Sequence, residues 1–87
     1  MKVLMRSVDM ICCTSKDGII TPIKFRIADD EKEYKIIRID KILTRDEEKL
    51  AGNRMLVFKV QSIINNCEWL FEMKYEFSTC KWFLYKI

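Results

Sequence analysis

The sequence predicts an all-β domain of about six antiparallel strands in meander order, forming a small barrel or a strongly coiled sheet. Three observations carry this. Apolar and polar residues alternate with period two over most of the chain. The alternating runs are rich in Val, Ile, Thr, Tyr, Phe and Trp, which suit a pleated, half-buried surface. Turn-forming dipeptides separate the runs at short intervals. With 87 residues, 49% hydrophobic and 33% charged, the chain has room for one core, so residues 1–87 read as a single domain. No helix is predicted to cover the inner side of such a sheet, so the sheet must curl over.

The first two strands flank "SKDGII". Asp17-Gly18 is a two-residue hairpin signal, because a type I′ turn needs positive φ at both central positions. Setting Lys16 opposite Ile19 brings Cys12 to Ile23, Met10 to Phe25 and Val8 to Ile27 on one face, and Asp9 to Arg26 on the other. A polar turn over "ADDEKEY" leads into a long third strand, "EYKIIRIDKILT". Its phase is mixed: Ile37, Ile39 and Leu43 share one parity, and Tyr34, Ile36 and Ile42 the other. A bulge or sharp bend is therefore expected within it.

Two readings stand for "TRDEEKLAGN". Thr44 as N-cap, Glu47 three residues later and Gly52 as a stop describe one short helix at 45–51. A charged loop between strands fits as well.

Asn65-Asn66 reads as a second I′ turn, since Asn tolerates positive φ. Ile64 then meets Cys67, Val60 meets Phe71, Phe58 meets Met73 and Leu56 meets Tyr75, with Lys59 against Glu72 outside. Ser78-Thr79 tips a third hairpin, and a four-residue loop there gives the same pairing. Tyr75 meets Trp82, Met73 meets Leu84 and Glu76 meets Lys81. In "CEWLFEMKYEF" the odd positions, Cys67 to Phe77, are thus expected to be central-strand core. A one-residue slip would set every apolar group against a polar one.

Few features point to chemistry. The chain has no His and only two glycines, so neither a histidine base nor a Gly-rich phosphate loop is available. No catalytic residue, cofactor or metal site is predicted. Cys12 and Cys13 are adjacent and point to opposite sides of a strand, and with Cys67 and Cys80 they lack zinc-ligand spacing. All four read as free thiols, mostly packed as small apolar groups. No run of eighteen apolar residues suggests a membrane span, no cleavable leader is evident, and the cytoplasm is the expected location.

The net charge of +3 is spread out, with five cationic against two acidic side chains in 1–28, five against eight in 29–48 and six against three in 49–87. At a pI of 8.7 this falls short of a basic nucleic-acid module. The outer side of the last three strands is more informative. It carries Val57, Leu70, Phe83, Tyr85 and Ile87 among charged residues, with Leu70 facing Ile87 and Glu72 facing Tyr85. An apolar patch on a side that should be solvated marks an interaction site. The expected function is therefore a non-enzymatic interaction module mediating protein–protein contact or self-association. The alternative is a nucleic-acid-binding barrel using Lys24, Arg26, Lys74 and Lys81 for phosphates, with Phe83 and Tyr85 stacking bases. Glu68, Glu72 and Glu76 on the same side oppose it. A third reading has Phe83, Tyr85 and Ile87 covered by the N-terminal strand or the 45–51 helix.

The runs "ITPIKFRI", "KLAGNRMLVFK" and "MKYE…TCKWFLYKI" resemble a set of short uncharacterised bacterial all-β proteins. The resemblance spans nearly the whole chain. It implies a compact cytoplasmic all-β domain and carries over no functional residue.

Overall fold

The computed structural model describes residues 3–28 and 33–87. Most of the predicted polar turn "ADDEKEY", and the acidic cluster Asp29 to Glu31 within it, lies outside the described residues. Seven antiparallel strands and no helix are present among them. They are β1 (Val3–Thr14), β2 (Ile20–Ala28), β3 (Tyr34–Arg38), β4 (Lys41–Leu50), β5 (Asn53–Ile64), β6 (Cys67–Glu76) and β7 (Lys81–Lys86). They form one sheet in the order β3-β2-β1-β7-β6-β5-β4.

The two edge strands, β3 and β4, are consecutive in the chain. Ile39 N donates to Ile23 O on β2, and the next residue, Asp40, donates from N to Gln61 O on β5, both at 2.9 Å. The predicted long third strand therefore pairs with β2 in its first half, bends at Ile39-Asp40, and pairs with β5 in its second. This bend curls the sheet into a half-barrel and accounts for the mixed phase of the sequence there. Bulges between Val3 and Arg6, Ile11 and Cys12, Ile42 and Thr44, and Glu72 and Met73 add local twist to the coil.

The expected helix at 45–51 is strand instead. Thr44 to Leu50 pairs residue by residue with β5, ending at Leu50 opposite Asn53. Ala51 (φ 49°) and Gly52 (φ 85°) make the two-residue turn. Gly52, read as a helix stop, supplies the positive φ of a hairpin. Long-range pairing outweighed a local capping pattern in a segment too short to be helical alone.

The Asn65-Asn66 turn has both residues at positive φ, 51° and 62°, and every predicted β5–β6 partner is found. The third hairpin has the four-residue loop 77–80, closed by Cys80 N donating to Glu76 O, and it keeps the predicted register from Glu76 to Met73.

The first hairpin differs at its tip. Ser15 N donates to Ile19 O and Gly18 N to Ser15 O, so the loop has three residues, with only Gly18 at positive φ. Ser15 Oγ accepts from the amides of Asp17 and Ile19 and holds this wider turn. Cys12 consequently meets Pro22, not Ile23. The bulge beyond it then restores the predicted Met10–Phe25 and Asp9–Arg26 pairs.

The core comprises Phe25, Leu56, Phe58, Val60, Phe71, Met73, Trp82 and Leu84. Phe25 and Phe71 meet edge-on at 5.9 Å, and Trp82 touches both Phe58 and Tyr75. Fully burying each large side chain contributes about 1.5–3 kcal/mol. Two expectations fail at one end of this core. Cys67 and Trp69 are exposed while Phe71 and Met73 are buried, because the bend at Ile39-Asp40 carries the third strand away before it can cover the β5–β6 tip. The four cysteines are free, as expected, but all are exposed and none is packed in the core.

Candidate interaction surface

Three of the five apolar residues expected on the outer side lie close together, and they are largely covered. Val57, Lys74 and Phe83 form one row across β5, β6 and β7. Val57 is buried, and Phe83 and Tyr85 are half-buried. The cover is the protein's own charged side chains. Lys74 Nζ lies 3.7 Å from the centroid of the Tyr85 ring and donates to Glu48 Oε1 at 2.7 Å. Neither β1 nor a helix lies over the patch: β1 pairs beside β7, and the 45–51 segment contributes Glu48 from a strand.

Leu70 is exposed on β6 opposite Gln61. The bulge between Glu72 and Met73 changes the partners expected on β7. Glu72 pairs with Lys86, not Tyr85, and their charges are 3.8 Å apart. Ile87 is turned to the concave side, where it lines a groove with Trp69 and Leu84.

The four cations considered for phosphate contact do not form a stripe. Arg26 donates from Nε and Nη2 to Asp9 Oδ2 at 3.0 and 2.8 Å and lies over the Tyr34 ring. Asp9 holds its guanidinium pKa above the usual value. Lys74 is committed to Glu48, Lys81 faces Glu76 across the ladder, and Lys24 lies between Ile11 and Arg38.

The concave side at the open end was not legible as a site in the sequence. Leaving β2 to join β5, the third strand opens a groove of about 650 Å³ between β3 and the β5–β6 tip. Its floor is Phe71, Leu84 and Ile27, and its walls include Ile37, Ile64, Trp69 and Ile87. Among the described residues, the only charged ones in its lining are Arg6 and Lys35. Arg6 is anchored by donating from Nη2 to Ala28 O at 2.6 Å. Trp69 is 44% exposed, a large apolar surface to leave in water. The one sequence signal of this opening is the mixed phase of "EYKIIRIDKILT".

The opposite gap, between β2 and β4, is bridged. Arg45 Nη1 donates to Ile20 O at 2.6 Å, and its guanidinium lies 5.1 Å from the Phe58 ring centroid. Asp40 secures the bend by accepting from Ile63 N at 2.8 Å through Oδ2.

Two further groups have shifted acidities. Tyr75 is raised above 10.0 by its hydrogen bond with the Cys80 side chain and then by burial, so the phenol stays protonated at neutral pH. Glu76 is lowered by the Thr79 hydroxyl first and the Asn53 side chain second. Both lie by the β6–β7 loop, away from the groove. Among the described residues no group of three or more His, Cys, Asp or Glu could hold a metal ion. Nor is any helix there long and apolar enough to cross a membrane, which does not bear on strands.

No protein-family model, curated protein or solved structure matches the chain, and the functional reading rests on its own geometry.

Proposed function

We propose that this chain is a non-enzymatic interaction module that associates with a second copy of itself through the open end of the half-barrel. The observation that carries this reading is Trp69, left 44% exposed beside a groove of about 650 Å³ whose lining, among the described residues, has no acidic side chain. Apolar surface of this kind on a small domain gains by being covered. The outer patch around Val57, Phe83 and Tyr85 supports the reading less, because Lys74 and Glu48 already cover much of it.

Sedimentation over a concentration series, for wild type and Trp69→Glu, tests the proposal. Wild type is expected to associate, with a blue shift of Trp69 emission, whereas Trp82 is buried throughout. Trp69→Glu is expected to stay monomeric with an unchanged β-sheet circular dichroism spectrum. A wild type that stays monomeric, or a variant that associates as well as wild type, overturns the proposal.

A further inference from the structure

Resting on the reading above, we infer that the contact is made by the free edge of β3, which pairs antiparallel with β3 of the second copy about a twofold axis at Ile36. Among the described residues β3 is paired on one side only, with β2. Ile39 N bonds Ile23 O, and the register runs without a shift from Arg38 opposite Lys24 to Tyr34 opposite Ala28. In an antiparallel ladder the residues whose N–H and C=O groups face the partner alternate with those facing away. Residues 35, 37 and 39 therefore bond β2. Tyr34, Ile36 and Arg38 direct their N–H and C=O groups away from it.

The two sheet edges are treated differently. β4 has a bulge between Ile42 and Thr44, a run of charges at Arg45, Asp46, Glu47 and Glu48, and the Arg45 bridge to Ile20. These are the devices that keep an edge from pairing. β3 has neither proline nor bulge. Its Ile36 is 70% exposed and its Tyr34 60% exposed.

The register follows from self-complementarity. Only registers that place outward-directed residues opposite one another can form the ladder. Centring on Ile36 uses all of β3: Ile36 meets Ile36 of the second copy, Tyr34 meets Arg38, and Lys35 meets Ile37. Each outward pair exchanges both N–H···O bonds. No like charges stand directly opposite. Arg26 already lies over the Tyr34 ring at 4.4 Å, and Arg38 of the second copy adds another guanidinium beside it. On the concave side the Ile37 residues of the two copies extend one apolar groove into the other. The twofold makes the contact isologous and closed, so association stops at a dimer.

Three variants, each checked for an unchanged β-sheet circular dichroism spectrum, test the inference by sedimentation. Ile36→Pro removes an N–H that faces away from β2, so the β2–β3 ladder stays intact, and dimerisation is expected to be lost. Ile36→Lys and Ile36→Glu each set like charges opposite at the twofold and should weaken association by roughly a hundredfold. Mixed one to one, they should form a heterodimer, because residue 36 of one faces residue 36 of the other.

Dimers that survive Ile36→Pro and Ile36→Lys but not Trp69→Glu overturn the β3 pairing and leave the interaction reading standing. Monomers of both charged variants with no recovery on mixing overturn this register. A monomeric wild type overturns both proposals.

Discussion

Removing the charge from Glu48 should destabilise the fold far more than removing it from its partner Lys74. The Lys74 side chain is 9% exposed and that of Glu48 29%. Lys74 Nζ lies 2.7 Å from Glu48 Oε1 and over the face of Tyr85. At an effective dielectric near 20, unit charges at that distance attract by about 6 kcal/mol before desolvation. Taking the ammonium out of water costs several kcal/mol, and the aromatic face returns about 1–2 kcal/mol. The intact pair is thus close to balance.

Glu48→Gln leaves a buried ammonium with only the ring and a neutral amide. It should cost about 2–3 kcal/mol, somewhat less than breaking a fully buried pair, because the site retains some access to water. Lys74→Met keeps the aliphatic stem against Val57 and Phe83 and removes the desolvated charge. It should fall within about 1 kcal/mol of wild type, as should the double variant. In a chain of this length, with a total stability of about 4–13 kcal/mol, Glu48→Gln should lower Tm by about 10–20 °C. Urea unfolding of the wild type, both single variants and the double variant measures each quantity. A Lys74→Met loss larger than that of Glu48→Gln refutes the argument.

Ser62 is fully buried opposite Trp69, and its hydroxyl has no hydrogen-bond partner among the described residues. Ser62→Ala should therefore raise stability by about 1 kcal/mol in urea unfolding, and a loss would show that the hydroxyl is satisfied. Ala51 holds φ at 49° in the β4–β5 turn, so Ala51→Gly should gain about 0.5–1 kcal/mol, read as a higher Tm. The carboxyl of Glu76 is held below its ordinary pKa of 4.5 by Thr79 and Asn53. Its contribution is complete above that value and is lost as pH falls through the lower folded-state pKa. Stability measured from pH 7 to pH 3 should decline less steeply in Glu76→Gln than in wild type, and equal slopes would remove Glu76 from the acid response.

The β5–β6 hairpin was readable because each of its determinants is local. Asn65-Asn66 accept positive φ, and the alternation on both strands admits one register. The Met10–Phe25 pair was also readable, although the tip of its hairpin was not. Ser15 and Gly18 build a wider turn, and a bulge at Cys12 cancels the offset. Neither compensating step leaves a mark in period-two patterning. Residues 44–50 misled for the opposite reason: a capping box is a local signal, and its competitor was a strand supplied from elsewhere in the chain.

By itself the sequence determined that the protein is an antiparallel meander, which face of β5, β6 and β7 is buried, and that the third strand must break its phase. Those properties follow from side-chain period and turn chemistry, both of which act between near neighbours. Only the tertiary structure decided what the break does. The bend at Ile39-Asp40 hands the strand from β2 to β5, uncovers Trp69 and leaves the β3 edge unpaired, while the bulge between Glu72 and Met73 shifts β7 so that Ile87 lines the groove. Each of these depends on where distant strands lie when the sheet curls, and alternation carries no information about curvature.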